Sequence, residues 1–338
     1  MTDAVLSATA DHARAVALVA RHGWNATSPQ VLAPGYRYWH AEHGCVAYAD
    51  TGRAWVAAGT PIAPADHLAD LAARFVAGAR PRRRRALFFG TEGRFTELLP
   101  WRHVPVAEQP EWDPAAWPDT LRAHKSLREQ LRRARAKGVT VRTLTATDVA
   151  GDRALTVAIA ATRDAWLRSR RMPPMGFLVD LPAIADVERM WIVAERHGAV
   201  IAAAAVAHVP ARPGALVEHV LRRPDAPNGT TELIVDAAMR LAAARGDRWI
   251  TLGMAPLAGR VAWPLRVARR LGRPLYDFDG LRAYRARLHP ARWTPIHLSI
   301  PPRRSVALAV VDLLTVFARG SLVRYGLATG RRLLPGGR

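Results

Sequence analysis

Residues 218–249, EHVLRRPDAPNGTTELIVDAAMRLAAARGDRW, decide the fold, because they combine the end of a strand, a turn and a helix. Glu218 lies in an apolar run, and a turn rich in Pro, Asp, Asn and Gly follows it. The chain restarts at Thr230 as a long amphipathic helix and then enters a second apolar strand, Trp249 to Gly253. The start of such a helix leaves backbone N–H groups free, and the carboxylates of Glu218 and Glu232 flank it. This arrangement is compatible with a platform for acyl transfer.

The composition bounds the class of protein. The chain has 338 residues, enough for two domains of ordinary size, and half of them are apolar. It carries 49 Lys and Arg residues against 28 Asp and Glu residues, a formal net charge of +21. A field of this sign favours polyanions such as RNA, DNA or an anionic lipid surface. An Arg-rich proteome of high GC content would instead explain part of the excess.

Cysteine, metal and targeting signals are sparse. The single cysteine, Cys45, excludes an intramolecular disulfide and a Cys-based zinc cluster, and is typical of a reducing compartment. His40 and His43 lie near Glu42, but no further ligands follow at metal spacing, so we expect no metal site. The first residues, MTDAVLSATADHARAV, do not resemble a signal peptide, and no apolar run reaches the roughly 18–20 residues of a membrane span. We therefore expect a cytoplasmic protein.

Residues 1–117 predict an α+β unit. Asp50-Thr-Gly between two apolar runs is typical of a β-hairpin. The expected elements are a helix at 7–22, strands at 45–48 and 54–58, a helix at 64–78 and a strand at 86–89. The Pro- and Trp-rich residues 108–120, EQPEWDPAAWPDT, read as a linker.

Residues 118–138 predict a basic linker helix. Leu127, Leu131 and Ala134 recur at helical spacing and share one face. The sequence 121–137 holds seven basic residues and one acid. Either these charges form a solvated surface, or the helix follows a phosphate backbone with an affinity that falls steeply as salt rises.

Residues 139–300 predict a second unit of the same kind. The expected elements are a helix at 151–171, a hairpin of strands 190–194 and 199–208 over Arg196-His-Gly, a strand at 216–221 and a helix near 261–271. This order of helix, antiparallel hairpin, helix and strand echoes that of the first unit. Two copies of one architecture are therefore expected.

Residues 301–338 form a basic C-terminal tail. Within it, Ser305–Ala318 predicts an apolar helix of about four turns that Asp312 interrupts. Arginines flank this helix, at Arg303, Arg304, Arg319 and Arg324. The segment is too short to span a bilayer and suits a membrane interface; the alternative is a terminal helix docked on the domain.

Four ordered motifs resemble a known family. They are LREQLRRARAKG (127–138), PDAPNGTTELIV (224–235), LGMAPLAG (252–259) and YDFDGLRAYRARLHPARWTPIHL (276–298). Together with GRAWVAAGTPIAP (52–64), they are similar to the C-terminal synthase domain of phosphatidylglycerol lysyltransferases, also called multiple peptide resistance factors. The resemblance covers most of residues 30–298.

The resemblance implies an α+β fold of tandem acetyltransferase-like (GNAT) domains, with mixed sheets flanked by helices and the basic helix between them. The implied reaction transfers an aminoacyl group from aminoacyl-tRNA to a hydroxyl of phosphatidylglycerol, with no cofactor besides the tRNA donor. The implied partners are aminoacyl-tRNA, phosphatidylglycerol and the inner face of the cell membrane, where the protein would be peripheral. The family's multi-span flippase region does not occur in this sequence, so we expect no lipid translocation.

The resemblance also points to individual residues. Glu218 stands where the family usually has Asp ahead of the turn, and Glu232 stands where it has the acid after the turn. Arg285 and Arg287 stand where the family usually has lysines. An arginine of the family's acid motif is displaced to Arg222 in this sequence.

Attack by a lipid hydroxyl on an aminoacyl ester needs a base for the proton and a donor for the oxyanion. We predict that Glu218 is the base and that Glu232 holds the α-ammonium or a cationic side chain of the substrate. For Glu232, the structural alternative is a stabilising charge at a helix N-terminus. His219 is expected on the strand face opposite Glu218, as a structural residue.

Binding residues complete the predicted site, since Arg matches the geometry of phosphate. Substrate binding is assigned to Arg222, Asn228, Arg285 and Arg287. Binding of tRNA phosphates is assigned to the exposed cations of the basic helix, Lys125, Arg128, Arg132 and Arg133.

Two other functions are compatible with the sequence. An acyl-CoA N-acyltransferase would share the fold, but its pyrophosphate loop, Arg/Gln-x-x-Gly-x-Gly/Ala, has no match here. A non-catalytic basic module that binds RNA or an anionic membrane is compatible with the replaced Asp and Lys positions.

Overall fold

Turn residues fix the hairpins of the sheet, as the sequence predicts. In the computed structural model, which describes residues 3–181, 184 and 189–333, Asp50 accepts a hydrogen bond from the Gly52 amide at 2.8 Å. Gly52 has a φ of +80°, which glycine adopts without strain. The hairpins over Asp50-Thr-Gly and over Arg196-His-Gly are both confirmed.

The predicted helices and strands occur in the predicted order, and the structure adds elements that were not predicted, among them Arg102–Trp112, Arg292–Ile300 and Leu322–Leu333. The helices are α1 (Asp3–His22), α2 (Thr27–Gln30), α3 (Leu68–Ala79), α4 (Gly93–Thr96), α5 (Trp117–Ala123), α6 (Lys125–Ala136), α7 (Ala146–Gly151), α8 (Arg153–Arg168), α9 (Thr230–Ala244), α10 (Trp263–Gly272), α11 (Phe278–Ala286), α12 (Val306–Phe317) and α13 (Leu322–Leu333). The strands are β1 (Arg37–Ala41), β2 (Gly44–Asp50), β3 (Ala54–Ala58), β4 (Arg85–Thr91), β5 (Arg102–Trp112), β6 (Thr140–Leu144), β7 (Arg189–Arg196), β8 (Ala199–Val209), β9 (Gly214–Arg222), β10 (Trp249–Thr251), β11 (Ala255–Pro256) and β12 (Arg292–Ile300). Short 3₁₀ turns lie at Ala65–His67, Pro114–Ala116 and Phe177–Val179.

All strands join one twelve-stranded mixed sheet, in the order β1-β2-β3-β4-β12-β5-β10-β9-β8-β7-β6, with β11 paired to β5. In the first half of the sheet, which consists of β1 to β4, an antiparallel meander ends in β3, and α3 crosses over to the parallel strand β4. In the second half, which consists of β6 to β10, an antiparallel meander ends in β9, and α9 crosses over to the parallel strand β10. The predicted α+β class, with mixed strands flanked by helices and one architecture used twice, is confirmed.

Apolar side chains cover both faces of the sheet. In the first half, α3 packs Leu71 and Phe75 on one face, while α1 and α12 cover the other. In the second half, α6 and α9 cover one face, and α8 packs Ile159 against Trp191 on the other. The strands therefore lie between layers of helices, as burial of a sheet on both faces requires.

The two halves interlock through β5 and β12. The strand β12 pairs antiparallel with β4 on one side and with β5 on the other, although it follows β10 in the sequence. Residues 108–112, which the sequence predicted to be part of a linker, form the end of β5, and residues 108–111 pair with β12. That assignment was wrong because prolines normally mark loops, whereas here Pro110 is accommodated within the strand. The predicted domain boundaries at 117 and 139 stay a prediction.

A network of polar side chains also joins the two halves near β5 and β12, and we call this region the joint. Arg212, in the turn between β8 and β9, donates hydrogen bonds to Glu92 at 3.1 Å and to Glu111 at 3.0 Å. Its guanidinium carbon lies 4.0 Å from the ring centroid of Trp249. Arg292 of β12 donates to the same Glu111 at 2.7 Å. The network therefore connects the first half, β5, β12 and the second half.

The basic helix is broken into two. Leu127, Leu131 and Ala134 of α6 are buried, as predicted. His124 between α5 and α6 has extended backbone angles, and its ring stacks on that of His289 at a centroid distance of 3.3 Å. The prediction of one continuous helix over 118–138 was wrong, because His124 leaves the helical conformation.

The helix α6 packs directly on the start of α9. Gly229 has a φ of +92°, and a Cβ atom placed there would lie 2.4 Å from the carbonyl oxygen of Gln130. Asp236 of α9 accepts hydrogen bonds from Trp117 at 2.9 Å and from Arg135 at 3.0 Å. A glycine is therefore needed at position 229, because a side chain there would collide with α6.

No single helix among the described residues is long and apolar enough to cross a bilayer. The helices α12 and α13, bent by 58°, meet the criterion of length and composition only as a pair.

We expect Gly229→Ala to lower the free energy of unfolding by about 2–4 kcal/mol, because it adds both left-handed strain and a clash with α6. Gly138→Ala is the matched control, since Gly138 has a φ of +77° and open space around its Cβ position. It should cost only about 1 kcal/mol. Denaturant titrations of both variants measure the difference, and equal losses would show that the contact with α6 is unimportant.

Candidate functional site

The first turn of α9 contributes Glu232 to the candidate site. Thr230 begins the helix and donates its hydroxyl hydrogen to the carbonyl oxygen of Pro227 at 2.7 Å. Glu232 is only 8% exposed and accepts a hydrogen bond from the Thr231 hydroxyl at 2.9 Å. The carboxylate is therefore held near the positive end of the helix.

The helix α11 brings a tyrosine and an arginine to the same place. Burial and the charge of Glu232 raise the pKa of Tyr284, whose hydroxyl lies close to Thr231 and Glu232. Arg285 donates hydrogen bonds to the carbonyl oxygens of Leu252 at 2.6 Å and Gly253 at 2.8 Å. Burial lowers the pKa of Arg285 to about 10, while the nearby tyrosines oppose this shift.

Electrostatic interactions extend this group towards the end of β9. Burial raises the pKa of Tyr276, and the cations Arg285 and Arg170 oppose that shift. Burial lowers the pKa of Arg170, Tyr276 opposes that shift, and Arg222 reinforces it. We call Glu232, Tyr284, Arg285, Tyr276, Arg170 and Arg222 the arginine–tyrosine cluster.

The cluster brings together three predicted site residues, Glu232, Arg285 and Arg222. Within the described part of the chain, the side chain of Arg222 makes no hydrogen bond or ion pair, so its guanidinium is available to an anion. Two further predicted residues, Arg287 and Asn228, are exposed at the edge of this region. Tyr276 and Arg170 were not predicted as site residues, although Tyr276 is the first residue of the motif YDFDG.

Glu218 lies in a different environment. It is buried in β9 and accepts a hydrogen bond from Arg189 of β7 at 2.5 Å. Arg189 also donates to the carbonyl oxygen of Pro29, in the first half of the chain, at 3.3 Å. The pair therefore lies where the two halves meet, and the role of Glu218 as a base stays a prediction.

A β-bulge places His219 beside Glu218. Ala205 pairs with Glu218 and Ala203 with Leu221, so β9 has one residue more than β8 between these pairs. Ala205, Leu221 and His219 line one cavity, which puts the histidine on the face of Glu218. The prediction that these side chains point to opposite faces was wrong, because the extra residue resets the alternation.

The imidazole of His219 is constrained. The backbone φ of His219 is +45°, an uncommon value for a residue with a side chain. Burial lowers its pKa, and Glu218 and the backbone of Asp180 oppose that shift. Its Nε2 atom is buried and finds no hydrogen-bond partner among the described residues. The cavity beside it, which Trp191 and Arg163 also line, has room for about one water molecule.

The basic helix α6 exposes all four predicted phosphate-binding residues, but they differ in their contacts. Arg132 is paired with Glu129 at 2.9 Å, and Arg128 donates to the carbonyl oxygen of Leu121 at 2.6 Å. The side chains of Lys125 and Arg133 make no hydrogen bond or ion pair to any part of the chain that the structure describes. These two cations are therefore the ones available to a phosphate.

Metal ligation has no support in the described ranges, where no group of three His, Cys, Asp or Glu side chains could hold a metal ion. The chemistry that the site offers is that of a carboxylate, tyrosine hydroxyls and guanidinium groups. Such groups bind an ammonium ion and phosphates or a developing oxyanion.

Arg285 also holds the turn after β10, and this gives a testable difference from Arg287. We expect Arg285→Ala to lower the free energy of unfolding by about 2–3 kcal/mol, since two carbonyl groups lose a charged donor. Arg287→Ala, the matched control on the same helix end, should change it by less than about 0.5 kcal/mol, because that side chain is exposed. Thermal and denaturant unfolding of the two variants provide the measurement. A neutral Arg285→Ala would contradict the structural role.

Comparisons with known proteins agree with this fold. The C-terminal domain of a putative lysylphosphatidylglycerol synthetase from Agrobacterium fabrum has a similar structure, with a TM-score of 0.78 and 24% identity, over 93% of this chain and 99% of that chain. L-PGS from Bacillus licheniformis is similar with a TM-score of 0.76 and 18% identity, over 94% and 97% of the two chains. FemX is a more distant match, with a TM-score of 0.56 and 8% identity, over 90% and 98%.

At these identities the solved structures show a shared fold. No curated protein sequence matches the chain significantly. The family model described as "Phosphatidylglycerol lysyltransferase, C-terminal" matches residues 16–298, which is most of the chain. The chain therefore belongs to the family of phosphatidylglycerol lysyltransferase C-terminal domains.

Proposed function

We propose that this protein transfers an aminoacyl group from aminoacyl-tRNA to a hydroxyl of phosphatidylglycerol. The observation that carries the proposal is the arginine–tyrosine cluster, in which the buried carboxylate of Glu232 and the guanidinium of Arg285 both interact with Tyr284. Glu232 offers a negative charge for the α-ammonium of the aminoacyl group. Arg222 and Arg285 offer positive charge for the phosphate of either substrate.

The reaction needs no further activation of the donor, because the aminoacyl group is already an ester. The lipid hydroxyl oxygen attacks the ester carbonyl, and a new ester bond forms as the bond to the terminal ribose of the tRNA breaks. The proton of the attacking hydroxyl passes through a base to the departing ribose oxygen. Guanidinium groups and tyrosine hydroxyls of the cluster would stabilise the oxyanion of the intermediate.

The base is assigned to the Glu218–His219 pair. Glu218 is the residue that the sequence predicts, and its carboxylate is paired with Arg189. His219 lies on the same face, with a buried Nε2 that makes no hydrogen bond to the described residues. A neutral imidazole with a free ring nitrogen is a proton acceptor.

We expect cells that express the chain to contain a new aminoacylated phosphatidylglycerol, and cells with Glu232→Gln to contain at least about tenfold less. The reason is the loss of the charge that binds the ammonium group, which is worth about 1.5 kcal/mol or more when it is buried. Lipid extraction followed by mass spectrometry measures the product and identifies the amino acid. Glu195→Gln, an acid on β7 near the edge of the sheet, is the matched control and should leave the yield unchanged.

Glu218→Gln and His219→Gln, assayed beside these variants, assign the base to whichever change removes turnover while the protein stays folded. A well-expressed, folded wild-type chain that makes no aminoacyl-lipid would overturn the proposal and favour the non-catalytic binding module.

The helix α6 is proposed to bind the tRNA backbone through Lys125 and Arg133. We expect Lys125→Gln/Arg133→Gln to weaken binding of a tRNA mixture and to lower the slope of log affinity against log salt by about 1.5, since two phosphate contacts are lost. Arg53→Gln/Arg82→Gln removes the same charge from exposed positions in the first half and should leave the slope unchanged. Filter binding over a range of salt concentrations measures both. Equal slopes in the two variants would show that net charge, and not this helix, binds the tRNA.

A further inference from the structure

The helix α12 is attached by one face and exposed on the other. Its inner face buries Leu313 and Val316 in the core of the first half, and Asp312 forms an ion pair with Arg85 at 2.6 Å. Its outer face leaves large apolar side chains at helical spacing nearly half exposed, namely Leu308, Val311 and Leu314. These side chains find no cover in the described part of the chain.

The helix α13 repeats this arrangement. Tyr325 donates its hydroxyl hydrogen to the carbonyl oxygen of Pro173 at 2.9 Å, and Arg332 donates to that of Met172 at 3.0 Å. These contacts fix one side of the helix to the segment after α8. On another side, one turn apart, Val323 is 73% exposed and Leu327 is 64% exposed.

Arginines flank both apolar faces. Arg303, Arg304, Arg324 and Arg331 are exposed, and none of their side chains makes a hydrogen bond or ion pair within the residues that the structure describes. The sequence from 301 to 338 contains seven arginines and one acid. That acid is the buried, neutralised Asp312.

We propose that the exposed apolar faces of α12 and α13, together with these four arginines, form a docking surface for the interface of an anionic lipid bilayer. We call them the α12–α13 surface. The proposal rests on the proposed function in one respect, since the acceptor of that reaction is an anionic lipid. Helices of this kind lie in the plane of the interface, with apolar side chains below the headgroups and arginines at the phosphates. The bent pair is apolar enough for this, although neither helix alone is a span.

Two other partners fit the surface less well. A second copy of the chain would bring the four arginines of each copy close to those of the other, in a protein whose net charge is already +21. RNA would satisfy the arginines but would leave the apolar side chains in water, since phosphate contacts make no use of them. A bilayer with anionic headgroups satisfies both.

The α12–α13 surface is connected to the centre of the molecule. The amide of Gly176 donates to the carbonyl oxygen of Phe317, the last residue of α12, at 2.9 Å. Arg319, between the two helices, pairs with Asp180, whose backbone contacts the ring of His219. A bilayer on this surface would therefore lie against the segment that contacts the Glu218–His219 pair.

The test is flotation of the whole chain with vesicles of phosphatidylcholine alone or mixed with phosphatidylglycerol. We expect the wild type to float with the mixed vesicles. Val323→Asn/Leu327→Asn should bind at least about 100-fold more weakly, because two exposed apolar side chains no longer enter the interface. Arg324→Gln/Arg331→Gln should lose about 30-fold in affinity and most of the preference for phosphatidylglycerol. Val157→Asn, which replaces a side chain of similar exposure (60%) near the start of α8, is the control and should bind like the wild type.

Binding by Val323→Asn/Leu327→Asn equal to that of the wild type, or no flotation of the wild type, would overturn the inference. So would a wild-type dimer in sedimentation that this variant dissociates, since the surface would then bind a second copy. Transfer assays separate this inference from the proposed function. The apolar variant should lose transfer to vesicle phosphatidylglycerol and keep transfer to a water-soluble short-chain phosphatidylglycerol. A wild type that floats but transfers to neither lipid would refute the proposed function alone.

Discussion

The structure depends on one largely buried cation, Arg212. Its guanidinium lies between Glu92 and Glu111, and the carboxylate of Glu111 also accepts from Arg292 of β12. Burial raises the pKa of Glu92, and the charge of Arg212 opposes that shift. Burial also tends to raise the pKa of Glu111, but Arg212 and Arg292 outweigh this effect, and the pKa is lowered overall. Removing one partner from a buried charge pair typically costs about 3–5 kcal/mol, because the remaining charges stay desolvated. The joint between the halves therefore has little tolerance for change.

This joint explains why a site can form at the meeting of distant segments. The sheet is continuous from β1 to β6, so both halves keep a fixed relation to each other. Glu232 comes from α9, and Arg285 from α11, which leads directly into β12. Arg189 reaches from β7 to Pro29 in the first half. The sheet and the helices packed on it hold these groups in place, as a site that binds two substrates requires.

Local signals in the sequence predicted the parts of the fold that local forces decide. Asp50-Thr-Gly gives a hairpin through its own hydrogen bonds, and Leu127, Leu131 and Ala134 give the buried face of α6. The bulge at His219 could not be predicted, because it depends on the register between β8 and β9. The same holds for the candidate site. The motifs identified Glu232, Arg222 and Arg285, whereas Arg170 is near them only through the tertiary fold.

The position of β12 also has a consequence for synthesis on the ribosome. Its residues 292–300 occupy the space between β4 and β5, which are made far earlier. While the chain emerges, β4 has an unpaired edge, and β5 lacks both of its neighbours until 249–251 and 292–300 follow. Such edges can pair with other nascent chains. The first half therefore cannot complete its sheet until residues 292–300 have left the exit tunnel.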